Sequence, residues 1–137
     1  MFGECLAIAI YFEARGEPIA GQLAVASVIL NRVTSPKFPN TICGVVKQGP
    51  RYKTGKRLPI RNMCQFSFYC DGKSDNPVEK DPWDTARWVA NYMINNNINL
   101  TEGSTYYHTT DIQPKWSGVL KRVVTIGNHI FYKEEKH

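Results

Sequence analysis

At 137 residues the chain has the length of one domain, enough to bury about two-thirds of the surface that its unfolded form exposes. With 42% hydrophobic and 21% charged residues it reads as an ordinary globular chain, and its longest early apolar run, Cys5 to Ile10, is too short to span a bilayer, which argues against stable membrane insertion. The formal charge of +5 suits an anionic partner, whether nucleic acid, lipid or a cell-wall polymer, and charge alone does not separate these.

The first predicted element is a helix that carries the apolar run into Tyr11-Phe12-Glu13-Ala14 and stops at Gly16, with Pro18 unable to continue it. Glu13 therefore falls in the last turn of a mostly buried helix. The negative end of the helix dipole and its apolar neighbours both disfavour its ionised form and raise its pKa. A carboxyl group protonated near neutral pH is what a general acid requires. The plainer alternative is a solvated helix-end carboxylate paired with Arg15. Glu17 is four positions on, but Gly16 and Pro18 break the helix between them, so a structural role such as capping or pairing with Arg15 is expected for it.

A second helix runs from Ile19 to Val33, apolar nearly all round and so buried on most faces, ending before Ser35-Pro36. Asn31 and Arg32 read as satisfied polar groups at its end. After a turn and a short apolar segment, Ile42 to Val46, comes an exposed loop from Lys47 to Asn62 with six Lys or Arg residues. A loop of that length in a compact domain often belongs to a binding site.

Cys64-Gln65-Phe66-Ser67-Phe68-Tyr69-Cys70 alternates as a half-buried strand would, with Phe66 and Phe68 on one face. Gln65 and Ser67 offer donors and acceptors suited to acetamido and hydroxyl groups. A further helix has Asp81 as N-cap and Pro82 at its first position, an apolar face of Trp83, Ala86, Ala90 and Met93 widened by Trp88, Val89 and Tyr92, and an end at Asn95-Asn96-Asn97. The last third has β character: a strand over Ser104 to Thr109, then Leu120 to Thr125 and His129 to Lys133 around the turn signal Gly127-Asn128.

The four cysteines, Cys5, Cys43, Cys64 and Cys70, contain no Cys-x-x-Cys spacing, and the chain has no His-Glu-x-x-His, so neither a zinc site nor any other metal or cofactor is expected. Their even number suggests disulfides, with Cys43 joined to Cys64 or Cys70 as the favoured pairing because that would staple the long loop; buried free thiols are the alternative. No repeat or linker marks a second domain. The N-terminus lacks the features of a secretory signal, since Glu4 stands where a basic region should be.

Tyr11 to Glu17, Gly21 to Ala26, Val28 to Val33, the Gln65-Phe66-Ser67 element, Tyr106-Tyr107-His108, Pro114-x-Trp116 and Ile126-Gly127-Asn128-His129-x-Phe131-Tyr132 together resemble the spore cortex-lytic (SleB-type) cell wall hydrolase family. The resemblance covers about Cys5 to Tyr132. It implies a single α+β domain over residues 1–137, mainly helical and lysozyme- or lytic transglycosylase-like, with a small C-terminal antiparallel element. It further implies an enzyme that cuts the glycan strands of peptidoglycan at the N-acetylmuramic acid to N-acetylglucosamine β-1,4 bond. Glu13 would act alone as catalytic acid and base, giving 1,6-anhydro ends without metal or cofactor. Gln65, Phe66, Ser67, Tyr107 and His108 would contact the sugar. A water-using muramidase on the same fold is the first alternative. A binding module for nucleic acid or cell wall is a remoter one; nucleic acid is not expected as a partner. A monomer acting on the wall is expected, released through a holin if the chain is a phage endolysin, or else working as a mature domain. The long basic loop and short charged tail depart from the family pattern and bear on substrate preference.

Overall fold

The computed structural model describes residues 2–96 and 98–134. Four helices, α1 (Phe2–Ala14), α2 (Ile19–Val33), α3 (Ile42–Val46) and α4 (Lys80–Asn96), precede three strands, β1 (Tyr106–Thr109), β2 (Lys121–Ile126) and β3 (His129–Lys133). This is the expected mainly helical α+β arrangement. The strands form one antiparallel sheet in the order β1-β3-β2, with Tyr107 opposite Phe131 and Thr109 opposite His129.

Apolar residues on nearly every face place α1 inside: Leu6, Ala7, Ala9, Ile10, Tyr11 and Ala14 are all buried against α2, α3 and α4. The helix ends where Gly16 takes φ +88°, a conformation that side-chain-bearing residues avoid. Ala24, Val25, Ala26, Val28 and Ile29 of α2 are fully buried, and they serve two cores. Val25, Ala26 and Ile29 join the helical core, whereas Ala24 and Val28 pack on Phe131 of the sheet. Tyr107 packs against both cores and stands at their junction.

Several local expectations change. The disulfides are Cys5–Cys43 and Cys64–Cys70, not a bond from Cys43 to either later cysteine. The reason is tertiary: α3 lies beside α1 and brings Cys43 to Cys5, and the 64–70 segment curls back on itself. That curl contains a 3-10 turn over Ser67–Cys70 instead of a strand, although Phe66 and Phe68 are both buried as the alternation required. Lys80 starts α4 one residue before the expected cap, so Asp81 sits inside the first turn, where a carboxylate suits the positive helix end. Ala86, Val89, Ala90 and Met93 form its buried stripe, but Trp88 is 55% exposed and stacks on Tyr92 on the outer side. The helix ends at Asn96; the expected end residue Asn97 lies outside the described residues.

The basic loop is exposed as expected, yet it has structure of its own. Arg51 bridges antiparallel to Pro59, and the Tyr52 amide donates to the Leu58 carbonyl at 2.9 Å. Among the described residues no helix is long and apolar enough to cross a membrane.

Candidate active site

The sheet is pinned at both ends to the helical half. At one end, Asn31 of α2 donates through Nδ2 to the Ser104 carbonyl at 2.9 Å, and Arg32 donates through Nε to the Thr105 carbonyl at 2.7 Å. These bonds set the chain just before it enters β1. At the other end, the Glu17 carboxylate accepts from the Asn128 backbone amide at 3.0 Å and from Asn128 Nδ2 at 2.8 Å. Gly127 is required beside it: a Cβ there would lie 2.8 Å from Glu17 Oε1, and φ is +58°. Glu17 thus fastens the α1–α2 turn to the β2–β3 turn. Its expected partner Arg15 pairs with Glu79 instead, at 2.9 Å.

Between these two fastenings, Tyr107 of β1 faces the last turn of α1 and donates its hydroxyl proton to Glu13 Oε1 at 2.5 Å. Burial raises the Glu13 pKa; the Tyr107 hydrogen bond and the nearby Arg32 charge oppose that shift without cancelling it. Glu13 nonetheless keeps partial exposure and lines the cleft. Burial, then the Glu13 charge and the hydrogen bond to it, push the Tyr107 phenol well above its ordinary value, so the phenol stays a donor. Glu17 differs from Glu13. Burial would raise its pKa, but the Asn128 bonds and His129 outweigh that and hold it low. Burial lowers the His129 pKa against the pull of Glu17, and its Nδ1 lies 3.4 Å from Glu17 Oε1 without a hydrogen bond.

The cleft has a volume of about 710 Å³, within the range of ligand sites. Glu13 and Tyr107 sit in its wall with Gln65 and Phe66 on one side. Gln65 is exposed to the space, whereas Phe66 is buried beneath it. Ser67 is exposed but lies outside the lining. His108 lines the cleft, yet both ring nitrogens are engaged, Nδ1 with the Thr109 carbonyl at 2.7 Å and Nε2 with the Tyr132 hydroxyl at 2.8 Å. Its part is to hold the wall rather than to offer free donors. Residues not singled out as site residues from sequence also line the space: Arg32, Tyr106, Ile112, Trp116 and His129. Trp116 packs its ring near Tyr106, His108 and Tyr132, forming an aromatic wall of the kind that sugar faces stack on. Its place in the Pro-x-Trp pattern was the available signal; nothing local marked Arg32.

A depression adjoining Glu13 is bordered by Glu17 and Asp111, the latter accepting a hydrogen bond from Thr109 Oγ1. A separate cavity of about 750 Å³ opens between the end of α2 and Glu134, and its charged groups, Lys133 and the paired Lys37 and Glu134, include no desolvated acid. Among the described residues no three His, Cys, Asp or Glu side chains converge as metal ligands would.

The chain is 37% identical over 131 residues to a spore cortex-lytic enzyme of Bacillus cereus, covering 95% of this chain and 43% of that one. It is 35% identical over 126 residues to the Bacillus subtilis spore cortex-lytic enzyme, covering 92% and 35%. The chain therefore spans less than half the length of these relatives. The solved catalytic domain of the germination-specific lytic transglycosylase SleB from Bacillus anthracis superposes with a TM-score of 0.71 at 35% identity, covering 96% of this chain and 93% of that domain. The catalytic domain of Bacillus cereus SleB gives 0.69, covering 96% and 88%. The pattern of the cell wall hydrolase family matches residues 16–132, beginning three positions after Glu13 and taking in Tyr107, Trp116 and the Glu17–Asn128 fastening, and so the chain belongs to the cell wall hydrolase family.

Proposed function

We propose that this chain is a single catalytic domain that acts as a monomer at the cell wall and cleaves peptidoglycan glycan strands as a lytic transglycosylase. The bond cut is the β-1,4 link from N-acetylmuramic acid to N-acetylglucosamine. The carrying observation is one desolvated carboxyl group, Glu13, held by Tyr107 in an aromatic-walled cleft. Glu17 is committed to Asn128 and held low, which leaves it ill-suited as a partner acid. The name of one similar catalytic domain, that of a lytic transglycosylase, favours the same reaction.

In the reaction the C1–O bond to the leaving sugar breaks as Glu13 gives its proton to that oxygen, with positive charge developing at C1. The resulting carboxylate is steadied by the Tyr107 hydroxyl and the Arg32 charge. It then takes the proton of the muramic 6-hydroxyl as O6 bonds to C1. Glu13 ends protonated as it began, no water is consumed, and the product carries a 1,6-anhydro end. Gln65 and the Trp116 face would hold the neighbouring sugars.

A water-using muramidase draws support from Asp111, a second carboxylate bordering the depression next to Glu13. Mass spectrometry of muropeptides released from purified peptidoglycan separates the two readings. Anhydro ends made by wild type and absent with Glu13→Gln are expected. Reducing ends that vanish with Asp111→Asn would replace this reading by hydrolysis, and no glycan cleavage at all would overturn both.

A further inference from the structure

Among the described residues Arg32 is the one Lys or Arg side chain that is buried, at 5% exposure. Three rings surround it: the guanidinium carbon lies 4.7 Å from the Phe38 ring centre and 5.5 Å from those of Phe66 and Tyr106. Cation–π attraction of this kind compensates in part for lost hydration and holds the planar group in one orientation. One of its five N–H donors is used, from Nε to the Thr105 carbonyl. Neither terminal nitrogen has a protein acceptor among the described residues, and neither is sealed in, because Arg32 forms part of the cleft lining. No carboxylate of the described residues pairs with it. A cation placed in a cage, fixed from behind and open only toward a cleft, is arranged for an acceptor that arrives with the ligand.

A planar fork of N–H groups fits a carbonyl-type oxygen or carboxylate. Resting on the glycan reading above, we propose that Arg32 is a substrate-binding residue whose terminal N–H groups hold a carbonyl-type oxygen of the glycan beside Glu13. Glycan strands offer that chemistry from two sources. The acetamido carbonyl occurs on both sugars, and the lactyl carboxyl group occurs on muramic acid alone.

The test uses Glu13→Gln protein, which binds without turnover, and the double variant Glu13→Gln/Arg32→Lys. Lysine keeps the positive charge near position 13 but loses the fork. Titration calorimetry is run with chitohexaose, which has only acetamido groups, and with a stem-free glycan oligomer containing muramic acid. Arg32→Lys is expected to weaken binding by about tenfold or more, the worth of a charge-assisted hydrogen bond. Weakening toward both ligands assigns the acetamido source, and weakening toward the muramic oligomer alone assigns the lactyl source. Unchanged affinity for both overturns the proposal. In the active background Arg32→Lys is expected to raise KM by about tenfold, with any fall in kcat from the displaced charge near Glu13 coming in addition; a fall in kcat with KM unchanged would overturn the proposal in favour of a purely electrostatic or structural role. Should thermal melting reveal that Arg32→Lys is misfolded, Phe38→Leu loosens the cage from outside the cleft; about threefold weaker binding is expected, and none overturns the proposal. If the Glu13→Gln parent binds neither glycan, the glycan reading itself fails and takes this one with it.

Discussion

Replacing Tyr107 by Phe removes one oxygen from the centre of the site and leaves the rest of the ring in place. The ring packs edge-on to His129 at 5.1 Å and beside Phe131 at 5.7 Å, contacts that Phe reproduces, so the fold is expected to persist. The lost group is the donor to Glu13 Oε1. In the proposed mechanism that bond strengthens as Glu13 gives up its proton and becomes charged, so it favours the transition state over the ground state. A hydrogen bond to a charged group is worth about 1.5–3 kcal/mol, which corresponds to a drop in kcat of about tenfold to a hundredfold. The same substitution acts on pH dependence. Burial raises the Glu13 pKa while Tyr107 and Arg32 lower it, so removing Tyr107 leaves burial less opposed and the pKa rises further. The descending limb of the pH–rate profile, where the acid ionises, therefore moves to higher pH. Initial rates of solubilisation of purified peptidoglycan, measured from acid to mildly alkaline buffer, read both effects. A near-wild-type rate, or a limb that stays put or moves down, would refute the role given to Tyr107.

Glu13→Gln is expected to retain the fold and lose at least about a hundredfold in activity, whereas Glu17→Gln has the milder effect per folded molecule; equal losses would overturn the single-carboxylate assignment. Because the folded-state pKa of Glu13 is raised, its ionisation costs stability as pH rises from the ordinary carboxylate range through the raised value, so Glu13→Gln should melt higher than wild type at neutral pH and equally in acid. Glu17 has the opposite sign: its stabilisation is present above the ordinary carboxylate range and is lost as pH falls through its depressed folded value. Glu17→Gln should cost about 1–3 kcal/mol near neutrality by weakening the bonds to Asn128, with the gap to wild type closing in acid, as melting curves would register. Removing the Cys5–Cys43 disulfide, with 38 residues of separation, should cost roughly 4 kcal/mol, and removing Cys64–Cys70, with 6, roughly 2 kcal/mol; the reverse order in denaturant titrations would contradict the loop-entropy argument. Prolonged chelation with EDTA should leave glycan cleavage unchanged, and a lost rate that zinc restores would overturn the metal-free mechanism.

Periodicity and punctuation determined much by themselves. The helix ending at Gly16, the buried second helix and the hairpin at Gly127-Asn128 were legible because each depends on local rules: apolar spacing, a glycine stop, a turn dipeptide. The same rules placed Glu13 in a final helical turn with buried neighbours, which is where its raised pKa begins. What only the tertiary structure decided involves partners distant in sequence. Tyr107 reaches Glu13 because Arg32 and Asn31 hold one end of the sheet and Glu17 holds the other, and no local pattern encodes a contact across 94 positions. The disulfides follow the packing of α3 beside α1, so reasoning from loop length alone selected the wrong partners. Arg32 looked like a satisfied helix-end cation for the same reason: its three rings come from separate segments, and a sequence records neither a cage nor the side on which it is left open.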